Sequence, residues 1–183
     1  MRLSLPAPAR ARSLAGLVLW LSGCEQSGTG PRIEAAWTGT DTGAIAASAR
    51  VAWCPAGARL EVLAIRADQG FGLVLFPAGD SLGAGEFQSF DPGIDTAVRP
   101  GVAAAARWFT DEKMAAFQSD SGTLELARAG SGYDARFGFR LRGLDGADTL
   151  LVTGRATGLV ADTPCPADSV PPPASVSPPA PGE

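Results

Sequence analysis

The residues of this chain that could do acid–base chemistry are its carboxylates, because the chain contains no histidine. Without histidine, triads with a histidine base, histidine-ligated zinc and histidine proton shuttles are excluded. Asp91 with Asp95, and Asp111 with Glu112, are the acids close enough in sequence to form a glycosidase-like carboxylate pair. Acids in such segments ordinarily form turns or caps, so we assign no catalytic residue.

Other motifs of enzymes and metal sites are missing from the sequence. No Gly-x-Ser-x-Gly elbow is present, and the short glycine pairs at 28–30 and 70–72 lack the setting of a nucleotide-binding loop. Asp145 and Asp148 offer oxygen ligands without the spacing of a calcium-binding loop. The sequence therefore predicts no cofactor and no metal site.

The amino-terminal residues have the composition of a secretory signal peptide. Arginines at positions 2, 10 and 12 precede a short apolar run, Leu14–Leu21, which is followed by the small residues Ser22 and Gly23. A membrane span needs about 20 apolar residues. The shorter run indicates a signal that is removed, over residues 1–23.

The end of this signal resembles the lipobox of bacterial lipoproteins, in the segment Leu21-Ser22-Gly23-Cys24. The resemblance covers only the signal. It implies cleavage between Gly23 and Cys24 and attachment of diacylglycerol to the Cys24 thiol, so the implied partner is the lipid bilayer. Each buried methylene contributes about 0.8 kcal/mol, and two or three acyl chains make release very slow. Glu25, rather than aspartate, implies an outer-membrane location facing the periplasm or the cell surface.

Two cysteines remain in the exported chain, Cys54 and Cys165. Export places them in an oxidising compartment, where two cysteines leave one possible pairing. We therefore predict a Cys54–Cys165 disulfide. A metal site or a catalytic thiol is the alternative, but each would lack histidine partners.

The charge of the exported chain argues against nucleic acid as a partner. Without residues 1–23 the chain has 12 basic and 19 acidic side chains, a formal net charge of −7. Nucleic-acid surfaces normally carry a basic stripe. Arg136, Arg140, Arg142 and Arg155 could form such a stripe, but nearby acids such as Asp134 are expected to dilute it.

Short alternating segments separated by turn residues predict an all-β domain over residues 32–165. In Tyr133–Leu141 every second residue is apolar over nine positions, which is typical of a half-buried strand. Strands at 121–129 and 148–160 should flank it in a meander. We expect an antiparallel β-sandwich, with an up-and-down β-barrel as the alternative.

The remaining predicted strands complete this domain. Phe71–Phe76 is apolar on both faces, which favours a central position in the sheet. Trp37 and Trp53 alternate with aliphatic neighbours and are expected in the core. A hairpin tip is expected at Gln69-Gly70. A short helix at 111–117 is the alternative to a strand at Met114–Gln118. The other predicted strands are Arg32–Gly39, Ala44–Cys54, Arg59–Ala67, Glu86–Phe90 and Val102–Phe109.

The segments on either side of the domain are low in apolar residues or rich in proline. Residues 24–31 contain the lipidated cysteine and a short polar linker, and residues 166–183 contain the run VPPPASVSPPAP. Such a tail cannot form a core and favours disordered, polyproline-II conformations. The tail is either a terminus without a role or an extension that docks on an envelope partner.

These features favour a membrane-anchored lipoprotein whose β domain is a non-enzymatic binding or scaffolding module for an envelope protein or peptide. One alternative is an envelope hydrolase that uses a carboxylate pair from the 77–100 loop. A second alternative is a carrier of small apolar ligands, if the strands close around a hollow centre.

Overall fold

The computed structural model describes residues 30–91, 98–109, 114–161 and 165. The predictions on the signal peptide, on Gly23 and Cys24, and on the proline-rich residues 166–183 therefore lie outside the described residues. Among the described residues, no helix has the length and hydrophobicity needed to cross a membrane.

Nine strands form the described fold, which is all-β as predicted, and all but one of their pairings are antiparallel. The strands are β1 (Arg32–Gly39), β2 (Gly43–Cys54), β3 (Arg59–Arg66), β4 (Gln69–Phe76), β5 (Gly85–Ser89), β6 (Gly101–Phe109), β7 (Met114–Ala129), β8 (Gly132–Gly143) and β9 (Thr149–Leu159).

One sheet contains all nine strands and closes on itself, because β1 pairs with both β2 and β9. The sheet is therefore a closed barrel, the alternative to the expected β-sandwich. The strand order is β1-β2-β3-β4-β6-β5-β7-β8-β9. Short strand β5 lies between β6 and β7 and runs parallel to β6, so the order departs from a simple up-and-down barrel.

Strand β7 is longer than predicted. The sequence suggested separate strands at Met114–Gln118 and 121–129, with a helix at 111–117 as an alternative. The structure has one strand with a shift of register between Ser119 and Ser121. The buried Ser119 hydroxyl accepts a hydrogen bond from the Ala104 amide at 2.9 Å, which bridges β7 to β6 near the point where β5 ends. Asp120 is therefore an extra residue in a bulge, and it breaks the alternation.

The β3–β4 hairpin also differs from the prediction. Gln69 and Gly70 belong to β4, and the turn consists of Ala67 and Asp68. Ala67 has a φ of 52°, a left-handed conformation that glycine or asparagine adopts more readily. No glycine marks this turn, so the sequence signal pointed to the nearest glycine instead.

Aromatic rings stacked across the barrel fill its interior. Trp37 of β1 stacks on Trp108 of β6 at a centroid distance of 5.3 Å, and Trp108 stacks on Phe117 at 5.0 Å. Phe71 of β4 stacks on Phe137 of β8 at 5.5 Å. Trp37 is buried as predicted, and Trp53 packs against the core while staying partly exposed.

Both described ends of the chain leave the barrel on the same side. Strand β1 begins and β9 ends at this terminal end, where Arg32 is paired with Thr157. Strand β2 also ends there, at Cys54. The far end contains the ends of β3 and β6 and the start of β7.

Candidate functional site

The outer face of strand β4 carries small and apolar side chains instead of polar ones. Phe71, Leu73 and Leu75 point into the barrel and are at most 1% exposed. The alternate positions, which face outward, are Gly70, Gly72, Val74 and Phe76. A strand with one solvated face usually alternates apolar and polar residues, so this outer face is unusual.

The strands on either side of β4 continue the apolar surface. Leu63 of β3 lies opposite Gly72, which lies opposite Ala105 of β6. One row toward the terminal end, Val74 lies opposite Ala103. We call the depression along these strands the outer groove; it is lined by Leu63, Gly70, Gly72, Val74, Ala103 and Ala105.

Glycine and alanine give this groove its depth. Larger side chains on β3 project beside the bare backbone of β4, where Leu63 is 42% and Ile65 57% exposed. The part of the groove nearer the terminal end has a cavity volume of about 500 Å³. A smaller depression of about 270 Å³ continues it toward the far end, past Arg107 and Leu144. This size suits an extended segment of chain or a small apolar ligand.

The far end of the groove meets further exposed apolar side chains. Phe109 and Met114 are paired across β6 and β7, and each is 53% exposed. Exposed apolar patches of this kind are typical of interaction surfaces. Apolar side chains are therefore exposed both in the groove and at the far end of the barrel, and the Arg107 side chain, which lies over Gly70, separates the two.

The opposite side of the barrel is charged. One row of outward residues crosses four neighbouring strands in register: Glu125, Arg136, Arg155 and Glu34. Arg155 donates to the Glu34 carboxylate from Nε at 2.9 Å, and this hydrogen bond lowers the pKa of Glu34. The predicted arginine stripe is thus interleaved with acids, as the sequence suggested.

The bulge residue Asp120 forms ion pairs with two more arginines of the predicted stripe. Its carboxylate accepts hydrogen bonds from Arg140 Nε at 2.8 Å and from Arg142 Nη2 at 2.9 Å. The Asp120 side chain is only 7% exposed, whereas the arginines are about half exposed. The hydrogen bond from Arg140 is the main cause that lowers the pKa of Asp120 to about 2. These contacts make a structural ion-pair cluster on β7 and β8.

Cys54 and Cys165 are joined by a disulfide, as the predicted pairing requires. The Cys165 amide also donates to the Trp53 carbonyl at 3.1 Å. The two sulfurs and a Glu61 carboxylate oxygen lie within 4.8 Å of one another. Because thiolates are the metal-binding form of cysteine, the disulfide leaves this trio without a thiolate ligand.

The predicted acidic pairs are only partly within the described residues. Asp91 accepts a hydrogen bond from the Gln118 side-chain amide at 3.1 Å. Asp95, Asp111 and Glu112 lie outside the described residues.

The outer groove is not among the predicted sites, although the sequence contains a signal for it. Phe71–Phe76 is apolar on both faces, a pattern that predicts a central strand. The same pattern marks a strand whose outer face is suited to contact something else.

Comparisons with protein-family models, with curated proteins and with solved structures found no match for this chain.

Proposed function

We propose that this chain is a lipid-anchored protein of the bacterial envelope and that its barrel is a non-enzymatic binding module. The outer groove is its binding surface. The observation that carries this proposal is the apolar surface formed by Leu63, Val74, Ala103 and Ala105 on β3, β4 and β6, which has Gly72 on its floor. A surface that only faced water would gain nothing from glycine, which weakens a strand interior.

The anchor of this proposal is Cys24, which lies outside the described residues. Its support is the order of arginines, apolar run and lipobox in residues 1–24. The terminal end of the barrel, where β1 begins, would then face the membrane. Phe109 and Met114, which are exposed at the far end, would then lie on the side away from it.

The interior packing favours this surface-binding function over the carrier alternative. A carrier needs an enclosed space for its ligand. The Trp37–Trp108 and Phe71–Phe137 stacks instead place aromatic rings across the middle of the barrel. This packing favours a ligand that binds on the outside of the barrel.

Site-specific photocrosslinking in living cells tests the binding surface. The photoreactive amino acid p-benzoylphenylalanine replaces Leu63 in the groove or, as a matched control, Leu151 on β9. Leu151 is 60% exposed but lies next to the charged face. We expect a discrete adduct with an envelope component from position 63 only. Equal adducts from both positions, or none from position 63, would contradict the proposal.

Labelling with radioactive palmitate tests the anchor separately. We expect label in the native chain and none in the Cys24→Ala variant. An unlabelled native chain that keeps residues 1–23 would overturn the lipoprotein assignment without bearing on the groove.

A further inference from the structure

Strand β4 has the composition of a strand that is covered on both faces. Strands buried on both sides are near-continuous in apolar residues, whereas half-exposed strands alternate. The inner face of β4 is covered by the barrel core. Its outer face is covered at one end by Arg107, which lies over Gly70, and at the other by Phe90, which contacts Phe76. Among the described residues, the middle of this face, at Gly72 and Val74, is left partly open, and the neighbouring Leu63 side chain is 42% exposed.

The disulfide fixes the carboxyl-terminal part of the chain beside this open face. Cys54 lies opposite Arg59 in the β2–β3 pair, at the terminal end of the barrel. Cys165 is bonded to Cys54, and the disulfide sulfurs lie within 4.8 Å of a Glu61 carboxylate oxygen. Arg59 and Glu61 line the terminal end of the outer groove. Cys165, after which residues 166–183 follow in the sequence, therefore lies at the terminal end of the groove.

We infer that residues 166–183 of the same chain bind in the outer groove and act as its resident occupant. The inference rests on the proposed function, because it takes the groove as a binding surface. It adds that an external partner must displace the chain's own proline-rich segment, which makes the segment autoinhibitory.

The chemistry of the groove favours a proline-rich segment as its occupant. Strand β4 is paired along its length with β3 and β6, so its backbone groups are already used in the sheet. An occupant can therefore contact side chains and glycine surface but cannot add as a new strand. A bound segment gives up hydrogen bonds between its backbone and water, so a segment with few backbone donors loses the least free energy on binding there. A proline-rich segment has few such donors, and polyproline II is already extended before it binds.

The composition of the segment also matches the groove. Between Asp168 and Glu183 it contains only proline, valine, alanine, serine and glycine. The groove between Glu61 and Ile65 likewise has an uncharged lining of Leu63, Gly72 and Ala105. Apolar contacts between small side chains and proline rings would bury both surfaces.

The length of the segment is sufficient. The groove from Glu61 to Ile65 is four residues of strand, or about 13 Å at ~3.3 Å per residue. Polyproline II rises ~3.1 Å per residue, so about five residues cover that distance. A short tether of this kind gives an effective concentration on the order of millimolar, so weak contacts are enough for occupancy.

The test uses the purified full chain in phosphatidylcholine vesicles at a low protein-to-lipid ratio. p-Benzoylphenylalanine replaces Leu63 or, as the control, Leu151, and adducts are mapped by mass spectrometry after irradiation. We expect an intramolecular adduct between position 63 and residues 166–183, and none from position 151. Adding Gly72→Thr, which fills the groove floor, should reduce the adduct severalfold.

Each other outcome overturns the inference. An adduct with the segment of a second copy would make the docking intermolecular, and an adduct with phosphatidylcholine would make the occupant a lipid. If position 63 gives no adduct with residues 166–183 in vesicles but still captures an envelope component in cells, the inference fails and the proposed function stands. If position 63 gives neither product, both fail.

Discussion

Gly72 lies directly opposite Leu63 on the outer face of the β3–β4 pair, and a Cβ atom added at Gly72 would contact Leu63 Cδ1 at 3.7 Å. This is an ordinary van der Waals distance, so the glycine is not required by the fold. Its absence of a side chain instead opens the groove. A substitution at Gly72 can therefore change binding in the groove without destabilising the fold.

Gly72→Ala is predicted to stabilise the barrel by about 0.5–1 kcal/mol, because glycine costs that much relative to alanine inside a regular element. The free energy of unfolding from urea titration measures the effect. Gly154→Ala is the contrasting variant, since its Cβ would lie 2.6 Å from Phe137 Cζ, and it should destabilise the protein. A destabilised Gly72→Ala would contradict the view that the fold does not need glycine at this position.

Trp108→Ala is predicted to destabilise the protein by about 3–5 kcal/mol, the usual cost of truncating a buried aromatic residue. Trp108 is 7% exposed and stacks on both Trp37 and Phe117, so its removal opens the centre of the barrel. Phe109→Ala, at the exposed neighbouring position, should cost far less. Similar losses for the two variants in urea unfolding would show that the interior is not filled in this way.

Asp120→Asn is predicted to cost about 1 kcal/mol at neutral pH and almost nothing near pH 2. Since the pKa of Asp120 falls from 3.8 to about 2 on folding, its ion pairs stabilise the fold above pH 4. That stabilisation is lost as pH falls from about 4 through about 2. The half-exposed arginines keep the gain small. Urea unfolding at several pH values measures the difference between variant and native protein, and a difference that is constant with pH would refute this role.

Replacing both disulfide cysteines, as Cys54→Ser with Cys165→Ser, is predicted to cost up to about 4–5 kcal/mol. The disulfide joins residues 111 positions apart, and a closed loop of about 100 residues restricts the unfolded chain by this amount in the chain-entropy model. Urea unfolding of the double variant and of the oxidised native chain provides the comparison. Equal stability would mean that residues near Cys165 add nothing to the fold.

The sequence predicted the local structure better than the closure of the sheet. The alternation in Tyr133–Leu141 is a property of one segment, and it correctly identified which side chains of β8 face the core. A sandwich and a barrel require the same alternation. They differ in the pairing of β1 with β9, which joins residues such as Trp37 and Val152 that are distant in sequence.

The errors arose where one residue departs from the usual pattern. Asp120 interrupts the alternation of β7 because it is the extra residue of a bulge, and an interrupted alternation predicts a break between two strands. Gly70 predicts a turn from its residue type, although it faces outward in β4 beside Arg107. Glycine in a turn and glycine in a groove look the same until the neighbouring strands are known.

The most direct measurement of the central claim compares two glycine variants that carry the photoreactive residue at position 63 in living cells. Gly72→Thr fills the outer groove, whereas Gly138→Thr adds the same side chain on the outer face of β8, where a Cβ would have no atom within 4 Å. We predict that both variants fold and reach the membrane, that Gly138→Thr keeps the envelope adduct, and that Gly72→Thr loses it. Undiminished capture by a folded Gly72→Thr protein would contradict the assignment of the groove as the binding surface.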